Sequence, residues 1–260
     1  MASFEKKKIS TTKDQDLVTG PGKKALQVAT ETKKDKQQKE RPNAFLAFRI
    51  MNQQIVHHAA EIQKEIIQSN PLLSQASVSI AKLHITLMVF ELKNDEDKQR
   101  AQQCLIKACH RIRMAQLVPP QIRFAGLSNF NDRVLFMNPV NDAHLDVLKQ
   151  IATICRETFE ENGILRLDNR PLHPHLTLFQ LKQGSVYEGL TKIDSRLYTK
   201  FADKQFGTEI MRSLQLCNMK RIRADGYYEV FLEESPYSLG NTVNKRMYDN
   251  IRDQSLLKLE

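Results

Sequence analysis

Beyond residue 40 the apolar positions follow two alternating rhythms. Residues 44–50 are apolar except for Arg49, which predicts a buried strand. Ile55, Ala59, Ile62 and Ile66 then recur at steps of four, three and four, an amphipathic helix that ends near Asn70-Pro71. A Ser-rich loop leads to a second strand over about 82–92. Ala101, Leu105, Ala108, Ile112 and Ala115 share one face of the next helix, which stops before Pro119-Pro120. Two shorter strands follow at 122–127 and 133–137, joined by a turn at Asn129-Phe130-Asn131-Asp132. Leu145, Leu148, Ala152, Cys155 and Phe159 mark a third helix with Gly163 closing it. A strand over 174–181 and two more at 213–219 and 227–233, around Asp225-Gly226, complete the pattern. Strands and helices in this order predict an α+β fold.

Strand, helix, strand thus occurs twice, over about 44–90 and 133–180. The last strand of each unit carries a string of the same shape: Leu83-His84-Ile85-Thr86-Leu87 and Pro174-His175-Leu176-Thr177-Leu178. Side chains two apart on a strand face the same way, so each string presents an imidazole beside a hydroxyl. Two lobes facing across a groove would bring the strings together. A single His-x-Thr is more often a packed histidine with a β-branched neighbour; two of them, 91 residues apart in equivalent places, argue for a shared cleft.

The chain of 260 residues carries a formal charge of +9. Residues 1–40 hold ten Lys, no Arg and six acidic residues, so this stretch supplies +4 of it. Its polar, aperiodic composition predicts disorder for 1–40, a folded domain over 41–235 and a tail over 236–260. Basicity suits a polyanionic partner such as nucleic acid; a solvated lysine-rich tail gives the same number. No stretch is apolar enough to span a membrane, and no signal-peptide core is present. Ala2 stands where myristoylation needs a glycine, so no membrane partner is expected. Cys104, Cys109, Cys155 and Cys217 have no paired spacing, which predicts free thiols and a cytoplasmic or nuclear location.

Two histidines facing one another can take a proton from an attacking oxygen and return one to a leaving oxygen. Two threonine hydroxyls beside them can donate to the phosphoryl oxygens between. The set suits phosphodiester cleavage with no cofactor and no metal. Zinc would need a third ligand, for which His173 is the near candidate. His57, His58, His110 and His144 fall on helices, in surface or boundary positions.

The strings fit the H-x-T/S-x pattern of the 2H phosphoesterase superfamily. The chain from Arg41 to Glu233 further resembles the central domain of the A-kinase anchoring protein 7 family, also known as the A-kinase anchoring protein 18 family. The resemblance rests on Arg41-Pro42-Asn43, both strings, Phe159-x-x-x-Gly163-Ile164-Leu165 and Lys192-Ile193-Asp194 with Tyr198 and Phe201. It rests equally on Phe206-Gly207-x-Glu209-Ile210, Leu216-Cys217 and Gly226-Tyr227-Tyr228. It implies a bilobal fold with pseudo-twofold symmetry and two antiparallel sheets flanking a cleft. His84 and His175 would be its catalytic pair, with Thr86 and Thr177 holding the phosphate. It also implies binding of 5′-AMP and cleavage of 2′,5′-oligoadenylate, RNA ends or 2′,3′-cyclic phosphates. Asn43, Phe130 and Tyr228 are candidates for the base. The family name adds anchoring of the protein kinase A regulatory subunit through a C-terminal amphipathic helix. Here the stripe Val243, Met247, Ile251 breaks at Ser255, which favours a short helix folded back on the domain. The alternatives to this enzyme are a nucleotide-binding A-kinase anchoring scaffold with little or no turnover and an RNA 2′,3′-cyclic phosphodiesterase.

Overall fold

A computed structural model describes residues 41–168, 170–182 and 190–237. The expectations for 1–40 and for a helix in the tail lie outside these residues. The chain runs β1 (Ala44–Arg49), α1 (Gln53–Ser69), β2 (His84–Phe90), α2 (Asp95–Met114), β3 (Gln121–Phe130) and β4 (Val134–Pro139). It continues through α3 (Ala143–Glu161), β5 (Leu176–Gln180), β6 (Gln205–Ile210), β7 (Leu214–Ile222) and β8 (Tyr228–Glu234), with four short 3-10 turns between.

The strands form two antiparallel four-stranded sheets, in the orders β2-β1-β7-β8 and β5-β4-β3-β6. Each string therefore lies at an edge of its sheet, and β2 and β5 touch. The units β1-α1-β2 and β4-α3-β5 are the repeat expected from the sequence, and the fold is the expected α+β arrangement of two sheets.

The pairing registers make the repeat closer than element order does. Leu46 faces Met88 and Ala47 faces Thr86, so Leu87 is skipped. Leu135 faces Phe179 and Phe136 faces Thr177, so Leu178 is skipped. Each string thus has its bulge at the residue after its threonine, which turns the strand sharply just beyond the His-Thr pair. The extra carbonyl at each bulge is taken by a helix of the other unit. Gln63 of α1 donates to Leu178 O at 2.8 Å, and Arg156 of α3 donates through Nε to Leu87 O at 3.0 Å.

The helices start where side chains satisfy free backbone N–H groups. Asn52, Asn94 and Asp142 accept from the first turns of α1, α2 and α3. Ala115, expected on the buried face of α2, is its exposed C-terminal cap. α1 follows β1 of the first sheet yet packs on β5 and β6 of the second. Ile55, Ala59, Ile62 and Ile66 close that seam with no exposure above 1%. One continuous apolar core results, drawing on both sheets.

β6 was absent from the sequence expectation, and it explains the Phe206-Gly207-x-Glu209 stretch. Phe206 O accepts from His58 Nδ1 of α1 at 3.0 Å. Gly207, at φ +122°, lets α1 approach; a Cβ there would stand 3.1 Å from both Gln54 and Ile55. Buried Glu209 accepts from the backbone N–H of Met51 (2.6 Å) and Asn52 (2.7 Å), holding the start of α1. Burial pushes its carboxyl above the ordinary value, and those two donors oppose the rise.

Candidate active site

The two histidines are positioned by one backbone device used twice. His84 Nδ1 donates to Lys82 O at 2.6 Å, and His175 Nδ1 donates to His173 O at 2.7 Å. A carbonyl only accepts, so in each neutral ring the proton is on Nδ1 and the Nε2 lone pair is free. The two imidazoles are near enough that the charge of one affects the other.

Their walls differ. His84 lies 4.9 Å from the Phe45 ring and 5.5 Å, edge to face, from Tyr228. Phe45 and Tyr228 are themselves in contact at 4.9 Å, part of a small apolar cluster with Ala47, Cys217 and Tyr227. His175 lies 5.0 Å from Phe130 and 5.2 Å from Phe136. His173 joins it across Phe130 at 5.1 Å, with its ring exposed at the rim. Burial pulls His84 down to about 4, aided by the positive charge of His175 and opposed by the bond to Lys82 O. Burial also lowers His175, its bond to His173 O opposes, and the His173 charge lowers it further.

A cavity of about 510 Å³ opens between β2 and β5, lined by Thr86, His175, Thr177 and Phe130. Both hydroxyls of the strings thus reach one space, with an aromatic ring beside them. His84 and Tyr228 are not in that lining; Tyr228 acts on the site by walling His84. Asn43 is elsewhere. Its side chain both donates to Leu92 O and accepts from Leu92 N, each at 2.8 Å, at the opposite end of the β1–β2 pair from His84. It lines a separate basic hollow of about 480 Å³ near Lys98 and Lys220. The expectation that Asn43 joins a base slot is therefore corrected: both its polar atoms are used to close the ladder. Phe130, expected in a turn, is the last residue of β3, and Tyr228 is the first of β8.

The Gly226-Tyr227-Tyr228 stretch has a structural account. Gly226 turns the chain at φ +80°, Tyr227 is buried under the Arg49 guanidinium (4.1 Å), and Arg49 pairs with Asp225 at 3.1 Å. That turn sets Tyr228 against His84. Sequence reasoning missed the cavity's cations: Arg156, Arg166 and Arg170 line it, with Asp168. Only their spatial convergence reveals them.

Paired His-x-Thr strings on touching edge strands of two antiparallel sheets are the arrangement expected of the 2H phosphoesterase fold. The solved structure of TT0787 of Thermus thermophilus shares the fold at 20% identity, covering 74% of this chain and 97% of that one, with a TM-score of 0.52. A LigT structure from E. coli, complexed with 3′-AMP, aligns at 18% identity over 75% of this chain and 97% of that one, TM-score 0.47. Residues 42–233 match the family described as AKAP7 2'5' RNA ligase-like domain, and the chain belongs to that family. Human A-kinase anchor protein 7 isoform gamma is 34% identical over 200 residues, which cover 75% of this chain. The match spans 58% of that relative's length.

Proposed function

We propose that the protein is a metal-independent phosphodiesterase that cleaves 2′,5′-oligoadenylate-type ribose phosphodiesters by acid–base catalysis between His84 and His175, with 5′-AMP as a cleft ligand. The observation that carries this reading is the matched backbone anchoring of both imidazoles, which leaves two Nε2 atoms free beside two threonine hydroxyls. In this mechanism His84 takes the proton of the ribose hydroxyl that attacks phosphorus. The bond from phosphorus to the 5′-oxygen breaks, and His175 delivers a proton to the departing oxygen. Thr86 and Thr177 donate to the phosphoryl oxygens as negative charge grows. The stronger depression of His84 supports the base role for it, since the less basic imidazole is the one left neutral. A bound phosphate opposes both depressions and restores a proton to His175.

The test is incubation of the purified chain, with EDTA, with 2′,5′-triadenylate, 3′,5′-triadenylate and a 2′,3′-cyclic nucleotide. Cleavage of the first alone, lost in His84→Ala and His175→Ala, supports the reading. Cleavage of the cyclic substrate alone replaces it with an RNA-end phosphodiesterase, and dependence on added metal refutes the metal-free mechanism.

The identity to an A-kinase anchor protein favours a second role, anchoring of the protein kinase A regulatory subunit through residues 236–260. On that reading the cleft binds nucleotide with little turnover. Tight AMP binding without cleavage of any of the three substrates, together with capture of the regulatory subunit by the full chain but not by one ending at 237, would establish it.

A further inference from the structure

The cavity does not stop at the His-Thr centre. From Thr86 and Thr177 it continues past Met88 and Val89 to Arg156 and Arg166. Both guanidinium groups are held from behind. Arg156 reaches in from α3 with its Nε on Leu87 O at 3.0 Å, and among the described residues no carboxylate forms an ion pair with it. Arg166 sits on a short segment added to the edge of β2, where it bridges to Phe90 and Leu167 N donates to Val89 O at 3.0 Å. Its Nε meets Glu160 at 2.8 Å. In both residues the Nε is used, and the terminal amino groups, the fork that grips a phosphate, are uncommitted among the described residues. Asp168, the carboxylate of this wall, is paired with Arg170 at 3.0 Å.

Two cations held side by side in a recess repel one another and favour an anion between them. Burial, and then the neighbouring charge of Arg166, hold Arg156 below the ordinary guanidinium value, with Asp168 and Glu160 opposing. Position decides which anion. Arg166 is anchored opposite Phe90, four residues along β2 from Thr86, about 13 Å of strand. That offset suits the next phosphate along a chain rather than the one between the threonines.

We propose that Arg156 and Arg166 form a second phosphate site, which grips a non-scissile phosphate and so selects oligonucleotides over single nucleotides and cyclic phosphates. The site rests on the reading of the cleft as a ribose phosphodiester centre. The phosphate it takes is either the next internucleotide phosphate or a terminal 5′-phosphate, and three probes separate these.

The probes are 2′,5′-linked ApA, pApA and ApApA made with 3′-deoxyriboses, which lack the attacking hydroxyl and report binding alone. Titration calorimetry on the full chain is expected to show pApA or ApApA binding about tenfold or more tighter than ApA, as a charge-assisted bidentate contact provides. A gain for pApA alone assigns the terminal phosphate, and a gain for ApApA alone the internucleotide one. Arg166→Ala should collapse the ratio toward one, and Arg166→Lys should recover part of it. Arg156→Lys, which keeps the charge if the bond to Leu87 is lost, provides a second variant with a reduced ratio. Equal binding of all three probes, binding of none, or a ratio untouched by Arg166→Ala overturns the proposal. A preserved ratio without turnover of the natural ribose substrates would overturn the cleft reading's chemistry and leave the phosphate site standing.

Discussion

Around His84 the walls are Phe45 and Tyr228, closed behind by a buried apolar cluster; around His175 they are Phe130 and Phe136, with a second imidazole, His173, at the rim. The backbone treats the two residues alike, with Nδ1 tied to the carbonyl two positions earlier and a bulge three positions later. Backbone repetition therefore sets which nitrogen is left free, and the side-chain walls set how readily that nitrogen holds a proton. On the proposed mechanism, this difference in packing is what would make one of a near-symmetric pair the base and the other the acid.

The sharpest way to break that comparison is to remove one imidazole at a time. His84→Ala and His175→Ala should each lower kcat about 10²–10⁴-fold in the oligoadenylate assay. In the parent protein kcat/KM should follow a bell with its maximum below pH 6.5, since both histidines lie under that value. His175→Ala should abolish the alkaline limb of whatever activity survives; survival of that limb would reverse the assignment.

Stability offers a second contrast. A histidine with a lowered folded-state value favours the fold when neutral. Its contribution is complete above about pH 6.5 and is lost as pH falls toward 4. For His84 the loss amounts to up to about 3 kcal/mol, and for the less depressed His175 to less. Urea unfolding between pH 7 and 4 should show a slope that His84→Gln flattens more than His175→Gln does. Equal flattening would mean the walls do not distinguish the two.

The cross-braces can be compared next. Gln63→Leu removes two donors, to Val78 O and Leu178 O, and should cost about 1–3 kcal/mol in urea unfolding at constant m. The smallest effect expected is on the walls. Phe130→Ala should weaken AMP binding about tenfold with the loss of a stacking face. Tyr228→Ala should lower kcat more than it weakens binding, since Tyr228 touches His84 and not the cavity.

Most of this architecture was legible because each element announces itself locally. The helices have clean apolar stripes, and the strings place their residues two apart. β6 was hidden because its pattern is not alternating. Phe206 and Glu209 are its two buried positions, three apart, since the pairing with β3 shifts register at Phe124 and Ala125. A buried glutamate and a glycine at positive φ read as loop. Arg156 was hidden for another reason: its partner is a carbonyl freed by a bulge 69 residues earlier, and nothing in the local sequence marks that bulge. Asn43 misled because a polar residue at the head of a buried strand suggests a ligand, while the need was to close the strand pair.

α1 belongs by chain to the first sheet and by contact to the second, while Arg156 ties α3 back to β2. Each bulge carbonyl is satisfied only when the helix of the other unit is in place. One such unit alone would be two strands of a four-stranded sheet and a helix, with its bulge carbonyl bare. Folding is then expected as one cooperative event governed by contacts far apart in sequence, slow for a chain of this size, with the two units appearing in the same kinetic phase.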